Sequence, residues 1–458
     1  MFINKGIYFV KKISDATQQT NTFINRTYQT AKIFSLIVFY FAKYYIARCE
    51  LDDCVIGLAE KLSEQSPIYV KVLQALAGSN GLTSKRIQNY LKQFSEDVPY
   101  KSEDVDIVEL HNYLDQIGKE RPDMQIINIS PLPIHSGTIS VVFEGDLINS
   151  TCSCNVNLTV PVVIKCVRKG IREQLCNALD DVCFILKALN YIPQVKELNI
   201  TNIVNGNRDI LLKQTSMNSE LTSLTKMYNN FKDRDYVVIP KPYPYFTLNN
   251  DDVLVMDKIE GRRIDEIVND NEKQLYGNLL SKFLLDAVIV DGSYHGDLHR
   301  GNIFFMKDAS GTKIGIIDFG IIINLSEFDT VLLKTFFIGL ASKNYDDIAD
   351  SLMFLTNINK IGLDVINQET RDEIHNIVKT TLKNTCESKD GFHADNFIII
   401  NRIFIKHGVE VTPTFWHLEM AFAMNASISN MLDTKSKNFM NYIQDVVSER
   451  IDLSFLDV

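Results

Sequence analysis

Two short stretches hold side chains suited to phosphoryl transfer: His295-Gly-Asp297-Leu-His299-Arg-Gly-Asn302 and, a little further on, Ile317-Asp318-Phe319-Gly320. That reaction asks little covalent chemistry of a protein. It needs a carboxylate to take or orient the proton of the attacking hydroxyl, oxygen ligands for magnesium, and cations to neutralise phosphate charge. Asp297 supplies the first. Asn302, five positions on, and Asp318 supply the second. A lone Asp-Phe-Gly carries little weight, but the ordered set flanked by two apolar strand-like runs carries much more. Upstream, the run Val162-Val-Ile-Lys165 ends in a lysine suited to contacting nucleotide phosphates. Such a lysine needs a carboxylate to hold it, and Glu220, early in a predicted helix, is the best candidate. Periodicity does not eliminate Glu173 or Glu197. A phosphate-covering loop is expected at Ile134–Ser140, where Ser136, Gly137 and Thr138 can approach a phosphate through hydroxyls and backbone amides. It has one glycine.

The elements that must position these groups follow from hydrophobic spacing. Residues 1–120 read as helical, with apolar spacing of three and four over Leu51–Leu62 and Ile68–Leu76, Thr83 as the cap of a helix running to Phe94, and a further helix to about Ile117. After Pro122 the pattern changes to short Val/Ile/Thr runs at Met124–Ile129, Thr138–Glu144 and Val160–Val167, which predict a small antiparallel sheet. Helices follow over Arg172–Leu189 and Ser219–Phe231, then strand-like residues at Val253–Met256. With Asp257 and Lys258, these fall where a nucleotide base would meet the backbone. From 261 to 458 the chain reads as helical apart from the runs Ile303–Phe305 and Ile314–Ile317. The expectation is an α+β, bilobal chain: an N-terminal helical extension (1–120), a sheet-bearing lobe (121–260) and a helical lobe (261–458).

Composition narrows the classes. The chain has 458 residues and a net charge of −10, so no basic stripe for nucleic acid is expected. Eight cysteines without paired metal-ligand spacing predict neither a disulfide scaffold nor zinc, and point to an intracellular, reducing compartment. Lys5, Lys11 and Lys12 precede the first acid, Asp15, a faint likeness to an organelle presequence. The apolar stretch Ile33–Ala47 is too short for a spanning helix and is interrupted by Lys43. It predicts a buried helix, with an interfacial, membrane-touching helix as the alternative.

Taken together, these motifs resemble the UbiB family of atypical kinases, also called aarF-domain-containing kinases, from about residue 25 to about 330. Pro67-Ile-Tyr-Val-Lys71-Val-Leu73-Gln74 matches the family's Lys-x-Gly-Gln motif with Leu73 in the glycine's place, and Asp97-Val-Pro99 follows it. Residues 135–138 occupy the place of the family's alanine-rich loop without its alanines. Val162–Glu173 resembles the lysine strand and its basic continuation, and Ser216–Phe231 the helix that carries the glutamate. Arg300 stands where the family often has proline. The resemblance implies a protein-kinase-like fold behind a helical extension, and binding of ATP or another nucleotide with Mg2+ at Lys165, Asn302 and Asp318. Lys71 and Gln74 would approach the same site. It also implies a link to isoprenoid-quinone (ubiquinone) biosynthesis or lipid handling, peripheral at a membrane or in mitochondria, with lipids or quinone-biosynthesis proteins as partners. A nucleotide-binding scaffold without turnover, and a small-molecule phosphotransferase of the aminoglycoside or choline kinase type, are the alternatives.

Overall fold

The computed structural model describes residues 26–78, 85–92, 98–149, 158–189, 208–309, 311–359, 367–388 and 395–415, with a few single positions beyond. Along the chain come helices α1 (26–45), α2 (Leu51–Ser63), α3 (Pro67–Gly78), α4 (Lys85–Lys92) and α5 (Ile107–Glu120). Strands β1 (Ile126–Ile127), β2 (Ser140–Asn149) and β3 (Leu158–Val167) follow, then α6 (Ile171–Leu189) and α7 (Met217–Phe231). After β4 (Val237–Val238), α8 (Pro244–Leu248) and β5 (Val253–Asp257) comes the long α9 (Asp270–Leu285). Four strands come next: β6 (Ser293–His295), β7 (Ile303–Asp308), β8 (Gly311–Ile316) and β9 (Ile322–Asn324). The described chain then runs through α10 (Glu327–Ser342), α11 (Tyr345–Phe354), α12 (Gln368–Cys386) and α13 (Asp395–Lys406).

These elements form two compact units. The first comprises residues 1–99, 136–138 and 170–212, so α6 belongs with the N-terminal helices. Ala59, Val70, Ile87 and Leu91 make a small core between α2, α3 and α4. The Tyr69 hydroxyl on α3 donates to Asp181 on α6 at 2.8 Å, and Thr30 on α1 donates to the same carboxylate at 2.7 Å. Gly57 leaves room for the Tyr40 ring, which would lie 2.7 Å from a Cβ there. The buried helix expected over Ile33–Ala47 is corrected here. Ile33 is buried, but Phe34, Val38, Phe39, Tyr44, Tyr45 and Ile46 are exposed. Its apolar residues run all round the helix, and packing on one side buries only one stripe of them. Among the described residues, no helix is long and apolar enough to cross a membrane. Thr83, expected as a helix cap, lies outside the described residues.

In the second unit β1, β2, β3 and β5 pair antiparallel in the order β1-β2-β3-β5. Period-two alternation sorts their side chains. Val141, Phe143 and Leu147 of β2 and Val162, Ile164 and Cys166 of β3 share one core with Leu110, Leu114 and Ile117 of α5. Lys165, between Ile164 and Cys166, therefore projects from the opposite face. Helix α7 starts at Ser216, whose hydroxyl accepts from the Ser219 N–H, an N-cap that satisfies one orphan donor. Its buried stripe reads Met217, Glu220, Leu221, Leu224, Met227 and Phe231, one carboxylate among apolar residues. Downstream, β4 runs parallel to β8, and β7 is antiparallel to β8. The three-residue strands β6 and β9, on either side of the acidic motifs, pair antiparallel.

Candidate active site

Strand β3 and helix α7 bring Lys165 and Glu220 together: Nζ lies 2.6 Å from Oε1, with only 8% and 2% of the side chains exposed. Asp318 joins them, its Oδ2 3.4 Å from the same ammonium. Of the three glutamates left open by the sequence, Glu220 is thus the lysine's partner. Glu173 lies exposed on the first turn of α6, and Glu197 is outside the described residues. Glu220 Oε1 also accepts the backbone N–H of Phe319 at 3.2 Å, which fastens the Asp-Phe-Gly turn to α7. Phe319 itself is fully buried in the core of the helical part.

Electrostatics follow from this crowding. Burial works against the charge on Lys165, but Asp318 and Glu220 together hold its ammonium above the ordinary lysine range. Desolvation lifts Asp318 as well. Lys165 and the Gly320 N–H outweigh it, so the carboxyl sits well below the usual range and stays ionised. Burial raises Glu220, with Lys165 pulling the other way.

Asp318 adopts φ +65°, the left-handed region, sparsely populated by non-glycine residues and a mark of functional strain. Two hydrogen bonds hold it there. The Gly320 N–H donates to Oδ1 at 3.1 Å, and the Asp318 carbonyl meets His295 Nε2 at 2.5 Å. His295 Nδ1 in turn accepts the Asp297 N–H at 3.1 Å. Since Nδ1 accepts, the ring proton resides on Nε2 and is donated to the Asp318 carbonyl. Burial agrees, pushing the His295 pKa below its ordinary value. One neutral imidazole therefore ties the loop of Asp297 to that of Asp318. Residue type alone marks His295 for no role in phosphoryl transfer; its position two residues before the candidate base is the signal in the sequence.

Asn302 closes the arrangement. It is buried, and its Nδ2 donates to the Asp297 carbonyl at 3.0 Å, so the amide's acceptor atom is Oδ1. The Ile317 N–H donates to the Asn302 carbonyl at 2.9 Å, setting Asn302 beside the strand end that leads to Asp318. A carboxylate and an amide oxygen are the donor types a hard divalent cation selects, so these residues fit magnesium. Arg263 stacks on Phe304, 3.9 Å from its centroid, and donates to the Gly301 carbonyl at 2.7 Å, bracing the turn.

Lys71, Gln74, Ser136, Gly137 and Thr138 belong to the other unit. There Ser136 Oγ donates to the Val98 carbonyl at 2.6 Å and Thr138 is buried. Lys71 is half-buried on α3, Leu73 packs on the Ala59–Val70–Ile87–Leu91 core, and the Gln74 side chain lies outside the described residues.

A strand lysine paired to a helix glutamate, facing an Asp-Phe-Gly turn and an Asp-x4-Asn loop, defines a bilobal α+β kinase-like domain. Residues 103–352 match the model of the ABC1 atypical kinase-like domain, more than half of the chain, and the chain belongs to that family. Among curated relatives it is 26% identical over 198 residues to the probable protein kinase UbiB of Actinobacillus pleuropneumoniae serotype 7, covering 41% of this chain and 35% of that one. It is 24% identical over 304 residues to an uncharacterized aarF domain-containing protein kinase, chloroplastic, of Arabidopsis thaliana, covering 64% and 52%. The chain thus spans about half the length, or less, of these relatives. Among solved structures it is similar to Rv3197 of Mycobacterium tuberculosis, solved in complex with erythromycin, at 18% identity and a TM-score of 0.46, covering 88% of this chain and 98% of that one.

Proposed function

We propose that the chain binds ATP with Mg2+ and transfers or hydrolyses the terminal phosphoryl group. The observation that carries this reading is the Lys165–Glu220–Asp318 cluster, in which one buried ammonium lies 2.6 Å from the Glu220 carboxylate and 3.4 Å from that of Asp318, a residue held at positive φ. Lys165 contacts the α/β-phosphates, Glu220 orients it, Asn302 and Asp318 hold magnesium, and Asp297 accepts or orients the proton of the attacking hydroxyl. Magnesium, when bound, neutralises charge on the phosphates.

The acceptor we infer is small, or water. Gly320 is followed directly by β9, paired with β6, and then by α10 from Glu327, so no long segment follows the Asp-Phe-Gly turn to seat a peptide. A link to isoprenoid-quinone or lipid metabolism rests on the family resemblance. The exposed aromatic residues of α1 support peripheral contact with a membrane.

The deciding experiment is nucleotide binding and hydrolysis, with and without liposomes, for wild type and Asp318→Asn. Asparagine tolerates the left-handed backbone, so this variant tests the carboxylate. Turnover should disappear in it and in chelator-treated wild type. Undiminished hydrolysis by Asp318→Asn would falsify the assignment, and Mg-nucleotide binding without any turnover would favour the scaffold alternative.

A further inference from the structure

Arg234, Tyr236, Asp286 and Asp291 form an ionic cluster with no part in holding nucleotide or metal. Arg234 Nη2 donates to both carboxylate oxygens of Asp291, at 2.9 Å each, and its Nη1 lies 3.3 Å from Asp286 Oδ2. The guanidinium also stacks 4.0 Å from the Phe231 ring centroid. The Tyr236 hydroxyl donates to the same Asp286 oxygen at 2.5 Å, and Lys282 Nζ sits 4.5 Å above the Tyr236 ring. Asp286 is fully buried. Buried ion pairs are poor sources of net stability, because desolvation offsets their attraction, and geometric specificity is the better reason to look for.

The geometry here is unusual. Asp286–Val290 form a π-helical turn at the end of α9, closed by the Asp291 N–H on the Asp286 carbonyl at 3.1 Å. In an ordinary α-helix, residues five apart point roughly 140° away from each other. The wider turn brings Asp286 and Asp291 to one guanidinium. Gly292 then takes φ +59°, β6 begins, and His295 and Asp297 follow directly. The same short segment holds the other loop. The Tyr236 carbonyl accepts the Ile314 N–H at 3.0 Å, and Val237 and Val238 pair with Ile314 and Gly315 of β8, which ends just before Asp318.

We propose that Arg234 and Tyr236 are positioning residues, a common anchor that sets the spacing of Asp297 against Asp318. This rests on the phosphoryl-transfer reading of the site. Neither residue is among the groups assigned to nucleotide or metal, so their loss should act on the transition state rather than on binding.

The test uses the full chain with Tyr236→Phe, which removes one hydroxyl, and Arg234→Lys, which keeps the charge but not the fork that spans two carboxylates. Both variants should show at least a roughly tenfold drop in kcat for ATP hydrolysis with KM for Mg-ATP within about twofold, the signature of an interaction realised in the transition state. Amide hydrogen exchange should quicken together in peptides covering 291–297 and 314–320. Unchanged exchange, faster exchange in only one loop, or faster exchange in both with wild-type kcat would each overturn the proposal. If wild type hydrolyses no ATP, the reading of the site falls, while the paired exchange measurement still decides whether one anchor serves both loops. Should Arg234→Lys fail to fold, Tyr236→Phe carries the test.

Discussion

At the scale of single residues, the buried ammonium of Lys165 is shared between two carboxylates, and that predicts an order of effects. Removing one partner of a buried pair strands the other at a loss of about 3–5 kcal/mol. Lys165→Met leaves both Glu220 and Asp318 without their cation, whereas Glu220→Leu leaves Lys165 still 3.4 Å from Asp318. Denaturant titration should therefore find Lys165→Met the more destabilised, and the double variant should recover part of the loss. Equal, near-zero effects of the single variants would refute the arrangement. His295 supplies a second prediction. Burial depresses its pKa in the folded protein, so the unfolded chain takes up a proton below about pH 6.5 while the folded one resists. The contribution is complete at neutral pH and is lost as the pH falls. Denaturation midpoints near pH 7.5 and pH 5.5 should differ less in His295→Asn than in wild type, and an identical slope in the two would exclude His295 as the source.

At the scale of elements, the packing of β9 on the loop of Asp297 turns on a glycine. A Cβ at Gly296 would lie 2.7 Å from Ile321 Cγ2 and 3.2 Å from Ile323 Cγ1. Gly296→Ala must push β9, and with it the Asp-Phe-Gly turn, away from β6. Overpacking of this kind destabilises by about 1–3 kcal/mol. A lower melting temperature and slower turnover are expected, both partly restored by adding Ile321→Ala. If the second change restores nothing, the contact is not the cause. Element by element, much was legible in the sequence. The β2–β3 hairpin announced itself through Val and Ile runs, α6 and α7 through their apolar spacing, and Lys165, Asn302 and Asp318 through motif order. What stayed hidden was non-local or too short for periodicity to register. The strands β6 and β9 are three residues each and find each other across the whole acidic region. The two residues of β4 gain meaning only beside β8. The π-turn at Asp286–Val290 changes helical phase without changing composition. Glu220 could be favoured over its rivals but not chosen, because side-chain pairing across 55 positions is a property of the fold.

At the scale of the molecule, the boundary between units does not follow the chain. The sequence reads as an extension ending near residue 120, yet α6, which follows the lysine strand, packs with α3 and belongs to the N-terminal unit. Asp181 of α6 is buried and holds the hydroxyls of Tyr69 and Thr30. Leu175, Ala178, Leu179, Val182 and Ile185 are buried on the same helix. Deleting residues 1–99 would leave that carboxylate without two of its donors and remove α3, which lies against α6; each fully buried aliphatic side chain exposed by its loss costs about 1.5–3 kcal/mol. The truncated protein should bind a hydrophobic dye, melt at a lower temperature and aggregate. A second truncation that also replaces the exposed apolar residues of α6 with polar ones should regain solubility. A soluble, dye-negative product from the simple deletion would show that α6 does not depend on the N-terminal helices. It would also favour the small-molecule phosphotransferase alternative, which needs no extension.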